Sequence, residues 1–184
     1  MAIVLVGGGA RSGKSRYALE LAQKRGPALV FLATAEPFDS EMEARIAKHR
    51  AERHSDFTTI EEPLDIAEKI RNTPADAMVV DCLTLWLSNL LVRGATADEA
   101  RARVDEVRAA LARRRVPVVI VTNEVGMGLV PETPLGRVFR DLSGLAHQRL
   151  AAEADELHVA VMGVVLRLRP DPIAVTPVTV DLPI

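Results

Sequence analysis

Cysteine occurs once in the 184 residues, at Cys82. A single thiol excludes an internal disulfide framework and a cysteine-rich zinc site, so a reducing, cytoplasmic setting is expected. No apolar run approaches the roughly 20 residues that a membrane helix needs. The first run, Ala2–Val6, is too short for the core of a secretory signal. An excess of one charge is also missing: the net charge is −2, which speaks against a general nucleic-acid binder. There is no internal repeat and no low-complexity block. Histidines are few (His49, His54, His147 and His158), and none makes a metal-ligating pair. His49 and His54 are five residues apart, about 140° around a helix, and cannot hold one ion from a single face.

What is present is a chain that is 48% apolar and 26% charged, the balance of a soluble globular protein. Its length suits one domain. We place that domain at 1–169, with an extended tail at 170–184 that carries four prolines and alternating Val and Thr. Short apolar runs alternate with helical periodicity. Strands are expected at Ala2–Val6, Ala28–Ala33, Phe57–Ile60, Ala77–Asp81 and Val116–Thr122, and a closing pair at Glu156–Met162 and Val164–Leu168 around Gly163. Helices are expected at Ser15–Arg25, from Asp39 or Ser40 to Arg53, and at Leu64–Ile70, Leu83–Leu91, Asp98–Arg115 and Leu135–Ala152. This alternation predicts an α/β fold of three layers, P-loop NTPase in type, with a mainly parallel sheet and a C-terminal antiparallel strand pair. In such sheets ligands sit at the carboxyl ends of the strands. The polar residues to weigh are therefore Gly8–Ser15, Thr34–Glu36, Glu61-Glu62, Asp81 and Asn123-Glu124.

The first of these is the most specific. Gly8-Gly9-Ala10-Arg11-Ser12-Gly13-Lys14-Ser15 fits G-x-x-x-x-G-K-[ST], with an apolar strand before it and an amphipathic helix after it. Glycines let several N–H groups converge on one phosphate, and the helix behind adds its positive end. Lys14 reaches the β/γ-phosphates in this reading, and the Ser15 hydroxyl is a Mg²⁺ ligand. Asp81 ends an apolar strand, as a second Mg²⁺-holding acid does, although many strand ends turn on an Asp. Asn123 and Glu124 either position a substrate hydroxyl or water near the terminal phosphate or satisfy loop backbone groups. Arg45 and His49 lie one helical turn apart. From spacing alone they form either an imidazole facing a phosphate beside a guanidinium or a solvated helix face. His147 and His158 are read as structural, Cys82 as a small apolar residue at the sheet edge, and Trp86 as core. Glu61-Glu62 is a surface pair or a nucleotide contact.

Several stretches taken together resemble one family. They are Gly7 to Arg16; Glu41-Met42-x-Ala44-Arg45-Ile46-x-x-His49; and Asp81-Cys82-Leu83-Thr84 with Asn89-Leu90-Leu91. Further along come Val121-Thr122-Asn123-Glu124-Val125-Gly126-Met127-Gly128-x-Val130-Pro131-Glu132, Phe139-Arg140-Asp141 and Gln148 to Ala152. From Ile3 to about Leu168 the chain is similar to the bifunctional adenosylcobinamide kinase/adenosylcobinamide-phosphate guanylyltransferases of cobalamin biosynthesis. The resemblance implies two reactions. In one, a nucleoside triphosphate phosphorylates the aminopropanol hydroxyl of adenosylcobinamide. In the other, GTP gives GMP to an enzyme histidine, which passes it to adenosylcobinamide phosphate. The family's guanylylated histidine falls on His49. Ala33, Thr34, Ala35, Arg50, Ala51, Glu52, Arg53, Glu61 and Asp81 become nucleotide contacts beside the phosphate loop. Lys48 precedes the nucleophile where the family can have a second histidine, and Asp81 stands where some members have Glu, one methylene longer. The implied co-substrates are GTP, with ATP an alternative donor for the kinase step, and Mg²⁺. The implied partners are adenosylcobinamide and its phosphate, in a homo-oligomer that binds neither nucleic acid nor membrane. Two other readings of the motifs remain: a plain small-molecule kinase with His49 a bystander, and a GTP-binding regulatory protein.

Overall fold

The computed structural model describes residues 2–37, 40, 43, 46, 47, 50, 55–171 and 175–177. Eight strands are described: β1 (Ile3–Gly8), β2 (Leu29–Ala33), β3 (Phe57–Glu61), β4 (Ala77–Asp81), β5 (Val118–Asn123), β6 (Glu156–Val161), β7 (Val164–Arg169) and β8 (Val175–Pro177). The helices described from end to end are α1 (Lys14–Gln23), α2 (Ile66–Asn72), α3 (Leu83–Val92), α4 (Ala97–Arg113) and α5 (Pro134–Glu153). The strands form one sheet in the order β3-β2-β4-β5-β1-β6-β7-β8. Pairing is parallel from β3 through β6 and antiparallel in β6–β7 and β7–β8.

Period-two alternation in the central strands decides which core each side chain enters. Val4 and Val6 of β1, Leu29, Phe31 and Ala33 of β2, Ala77 and Val79 of β4, and Val119 and Val121 of β5 pack on one face, against Ala18, Leu19 and Ala22 of α1. Their neighbours Leu5, Val30, Leu32, Met78, Val80, Val118 and Ile120 enter the other face, under α2, α3, α4 and α5. Both faces are covered, so these strands read as continuous apolar runs. Trp86 is wholly buried in the second core and donates its indole N–H to Leu64 O at 2.8 Å.

The expected elements appear with shifted ends, and the shifts have causes. β1 runs to Gly8 rather than ending at Val6, because β5 and β6 flank it and pair with it as far as Gly8. The long helix begins at Ala97, where Thr96 and Glu99 form a reciprocal capping box. It stops at Arg113 because Arg114 leaves the helix to donate to Ile70 O and, at 2.8 Å, to Thr73 O. α5 starts at Pro134 behind the Thr133 cap. The expected C-terminal pair is a trio: Val175–Pro177, inside the segment assigned to the tail, pairs with β7. The helix expected from Asp39 or Ser40 to Arg53 falls mostly outside the described residues; positions 40, 43, 46, 47 and 50 are helical.

Candidate active site

The candidate phosphate-binding loop is built where β1 hands over to α1. Gly13, the residue before the helix, has φ 87°. That left-handed conformation suits glycine, and it turns the first N–H groups of α1 outward. No side chain caps this helix and its first turn has no acid, so its orphan donors and positive dipole end are available to an anion. Arg11 is also left-handed, with φ 54°, and its side chain is exposed. Lys14 is only 8% exposed and folds back so that Nζ donates to Gly9 O at 3.0 Å. Within the same loop the buried Ser12 hydroxyl has no hydrogen-bond partner among the described residues. Gly8 is required by close approach, not by a turn. A Cβ there would lie 2.5 Å from Ala160 O and 2.8 Å from Ser12 Oγ.

Beside the loop, three strands bring their last residues into one row. Ala33 of β2 is in register with Glu61 of β3 on one side and Asp81 of β4 on the other. Thr34 ties this row together. Its N–H donates to Asp81 O at 3.1 Å. Its hydroxyl donates to Cys82 O at 2.8 Å and accepts the Cys82 N–H at 2.7 Å. Asn89, itself buried, donates through Nδ2 to Thr34 O at 2.8 Å and to Pro63 O at 3.2 Å, holding the ends of β2 and β3 at one spacing. Arg50 pairs with Glu61. Arg93 holds Glu36 with two hydrogen bonds and keeps its carboxyl below the usual range. Burial, with the Asp81 carboxylate nearby, pushes the Cys82 thiol up to about 11, while Lys14 pulls in the opposite direction. The thiol is therefore protonated and unreactive at neutral pH. Asp81 and Lys14 share its surroundings.

The carboxyl end of β5 completes the edge. Asn123 donates through Nδ2 to Thr84 Oγ1 at 2.9 Å, and the Glu124 N–H donates to Gly8 O at 3.0 Å, tying this loop to the phosphate loop. Glu124 Oε1 accepts the Gly126 N–H at 2.6 Å. Its Oε2 faces His147 Nδ1 at 4.0 Å, and His147 Nε2 lies 2.6 Å from Thr122 Oγ1. The carboxylate favours a proton on Nδ1, so the Thr122 hydroxyl donates to Nε2. Burial holds the His147 imidazole below its ordinary pKa, against an opposing pull from Glu124. The sequence reading set His147 aside as structural and missed this grouping. One signal was present: His147 follows the buried Ser143 by four residues and precedes the buried Leu150 by three, on the inward face of α5. His158 fits its structural reading, bonded to Tyr17 Oη through Nδ1 at 2.8 Å and to Glu156 through Nε2 at 3.2 Å.

The structure thus gathers Gly8, Gly9, Ala10, Arg11, Ser12, Gly13, Lys14, Ser15, Ala33, Thr34, Ala35, Glu61 and Asp81 along one edge. His49, Arg45, Ala51, Glu52 and Arg53 lie outside the described residues. Among the described residues no group of three or more His, Cys, Asp or Glu can hold a metal unaided. A hydroxyl and one carboxylate, Ser15 and Asp81, suit Mg²⁺, which takes few protein ligands and fills its shell with phosphate oxygens and water. No described helix is long and apolar enough to cross a membrane.

Comparison with known proteins shows the family of the chain. Residues 4–168 match the family described as cobinamide kinase / cobinamide phosphate guanyltransferase. The chain is 42% identical over 176 residues to the bifunctional adenosylcobalamin biosynthesis protein CobP of Pseudomonas aeruginosa, covering 92% of this chain and 98% of that one. It is 41% identical over 181 residues to the bifunctional adenosylcobalamin biosynthesis protein CobU of Salmonella typhimurium, covering 91% and 99%. Among solved structures, the RadB recombinase superposes with a TM-score of 0.56 at 16% identity, over 97% of this chain and 87% of that one. That likeness concerns the fold alone.

Proposed function

Since this chain belongs to the cobinamide kinase / cobinamide phosphate guanyltransferase family, we propose that it performs both reactions with GTP at the sheet edge described above. It is a transferase of that family, and its substrates are a cobinamide and a nucleotide. The observation that carries the nucleotide reading is the uncapped start of α1, with Lys14 folded over the loop and a buried Ser12 hydroxyl lacking a partner among the described residues. These donors match the β- and γ-phosphates. The row Glu61–Ala33–Asp81 beside the loop supports a nucleotide lying across the carboxyl ends of β2 and β3, with Ala35 and Arg50 against it and the fully buried Thr34 holding the strand ends from beneath rather than touching it.

In the kinase step the aminopropanol hydroxyl of adenosylcobinamide forms a bond to γ-phosphorus, and the bond from γ-phosphorus to the nucleoside diphosphate breaks. ATP serves here as well as GTP, because the loop grips phosphates and not the base. In the second step a nitrogen of His49 forms a bond to the α-phosphorus of GTP and pyrophosphate leaves with the bonding electrons. The phosphate oxygen of adenosylcobinamide phosphate then takes the GMP and frees the imidazole. Lys14 and the N–H groups of α1 stabilise the departing pyrophosphate. Mg²⁺ held by Ser15 and Asp81 would supply charge neutralisation at the phosphates. His49 enters this reading through its motif, and Arg50, one residue on, is paired with Glu61 of the row.

Labelling with GTP carrying a radioactive α-phosphate tests the proposal. The protein should acquire a covalent label that is stable to alkali and lost in acid, and His49→Ala should abolish it. Phosphorylation of cobinamide without any protein label would reduce the enzyme to a kinase. Nucleotide-dependent binding with no transfer at all would refute both steps.

A further inference from the structure

Five carboxylates stand at the carboxyl edge of the sheet among the described residues, and four have other work. Glu36 is held by Arg93 and Glu61 by Arg50. Glu62 accepts the N–H groups of Leu64 and Asp65 at 3.0 and 2.8 Å. Asp81 is the acid expected at the metal. The fifth, Glu124, is tied to the phosphate loop through its own N–H and Gly8 O. Its carboxylate is oriented at one oxygen by the Gly126 N–H and faced at the other by the imidazole of His147, with no cation against it among the described residues. A Cβ at position 126 would lie 2.9 Å from that first oxygen, so glycine there permits the arrangement. The side chain is 37% exposed and the imidazole 16%.

Beyond Glu124 the chain presents an uncharged, apolar tip to solvent. Met127 is 91% exposed, Leu129 96% and Val130 61%. The tip stands on a fixed base. The Thr133 hydroxyl accepts the Gly136 N–H at 3.1 Å, and Arg137 donates to Pro131 O and Glu132 O at 3.1 and 2.7 Å. Apolar groups held in water next to a phosphate site have a use if a large, uncharged-surfaced substrate lies on them.

We propose that the segment joining β5 to α5 is the acceptor subsite of the kinase step. Glu124 receives the proton of the cobinamide hydroxyl, and Met127, Leu129 and Val130 lie against the apolar periphery of the amidated corrin ring. This rests on the kinase half of the function proposed above. As the oxygen–phosphorus bond forms, the hydroxyl proton passes to a Glu124 carboxylate oxygen, the nucleoside diphosphate leaves with its electron pair, and the carboxyl returns the proton to water. His147 is a positioning residue: it sets the direction of the Glu124 carboxylate and touches no substrate. The guanylylation of His49 involves no acceptor hydroxyl and does not need Glu124.

The two halves of the enzyme allow a clean test. Glu124→Gln should lower kcat for cobinamide phosphorylation about a hundredfold or more, the usual contribution of a positioned general base. Labelling of the protein by α-labelled GTP should stay within twofold of wild type, which also shows that the variant folds. His147→Gln should lower kcat of the kinase step with both KM values unchanged. Met127→Ser/Leu129→Ser should raise KM for cobinamide at least tenfold and leave KM for GTP unchanged. Unimpaired phosphorylation by Glu124→Gln overturns the proposal. So does an unchanged cobinamide KM in the double variant, including the case where its mass in solution falls because the tip joins copies of this chain. If wild-type protein takes no label yet phosphorylates cobinamide, the dual-function reading fails while the Glu124 comparison still reads out.

Discussion

Replacing Thr34 with valine removes one oxygen, leaves the buried Cys82 N–H without a partner and takes one of two hydrogen bonds from the Cys82 carbonyl, which keeps the Trp86 N–H at 3.1 Å. Thr34 is fully buried and Cys82 is 3% exposed, so water cannot substitute for the hydroxyl that bonds both the N–H and the C=O of Cys82. The orphaned N–H costs about 1–3 kcal/mol and the lost bond to the carbonyl about 0.5–1.5 kcal/mol, roughly 1.5–4.5 kcal/mol together. The added methyl of valine offsets at most about 1 kcal/mol. A domain of this size has about 5–15 kcal/mol in total, and each kcal/mol moves Tm by about 2–4 °C. Thr34→Val should therefore melt a few to roughly 18 °C below wild type. Thr34→Ser keeps both hydrogen bonds, loses only a methyl, and should cost about 1 kcal/mol. Urea unfolding followed by the fluorescence of Trp86, the single tryptophan and wholly buried, measures both variants with one probe. The reasoning is refuted if Thr34→Val and Thr34→Ser differ by less than about 0.5 kcal/mol, the scatter of ordinary surface substitutions.

Gly8→Ala places a methyl 2.5 Å from Ala160 O in a strand paired on both sides, so the phosphate loop must move. GTP affinity should fall about tenfold or more, for an overpacking cost of about 1–3 kcal/mol; calorimetric titration showing an unchanged Kd would contradict this. Acid sensitivity follows from the two buried imidazoles. Burial holds both His147 and His158 below the ordinary 6.5, so the unfolded chain takes up their protons first as pH falls. Their contribution is fully present above pH 6.5 and is lost as the pH drops through the lower folded values. The urea midpoint should decline as the pH falls below 6.5, and His158→Gln should flatten the decline; an equal slope in the variant would remove His158 from the account.

The architecture was legible because it rests on local patterns. Apolar runs at Leu29–Ala33, Ala77–Asp81 and Val118–Asn123 are short, bounded and free of charge until their last residue, and each became a buried strand. The G-x-x-x-x-G-K-S spacing marked a candidate phosphate loop because the proposed chemistry is carried by backbone turns and one lysine in sequence. Legibility failed where partners are distant in the chain. Thr122, Glu124 and His147 are 25 residues or fewer apart, yet they meet only because α5 packs back over the sheet. Arg114 reads as part of a helix running to Arg115, and the carbonyls that draw it out belong to Ile70 of α2 and to Thr73 just beyond it. The third antiparallel strand was hidden by the prolines of the tail, whose pairing with β7 no local propensity announces.

By itself the sequence determined the fold class and, through its motifs, the family, and it singled out Lys14, Ser15 and Asp81 as candidate site residues. All of these depend on neighbours in the chain or on residue types at set spacings. The tertiary structure decided which strand ends stand side by side. It placed Glu61, Ala33 and Asp81 in one row, joined Glu124 to Gly8, and gave Thr34 two groups of Cys82 to satisfy. Strand order and register arise from the mutual burial of two apolar faces, a property of the whole sheet that no single stretch contains.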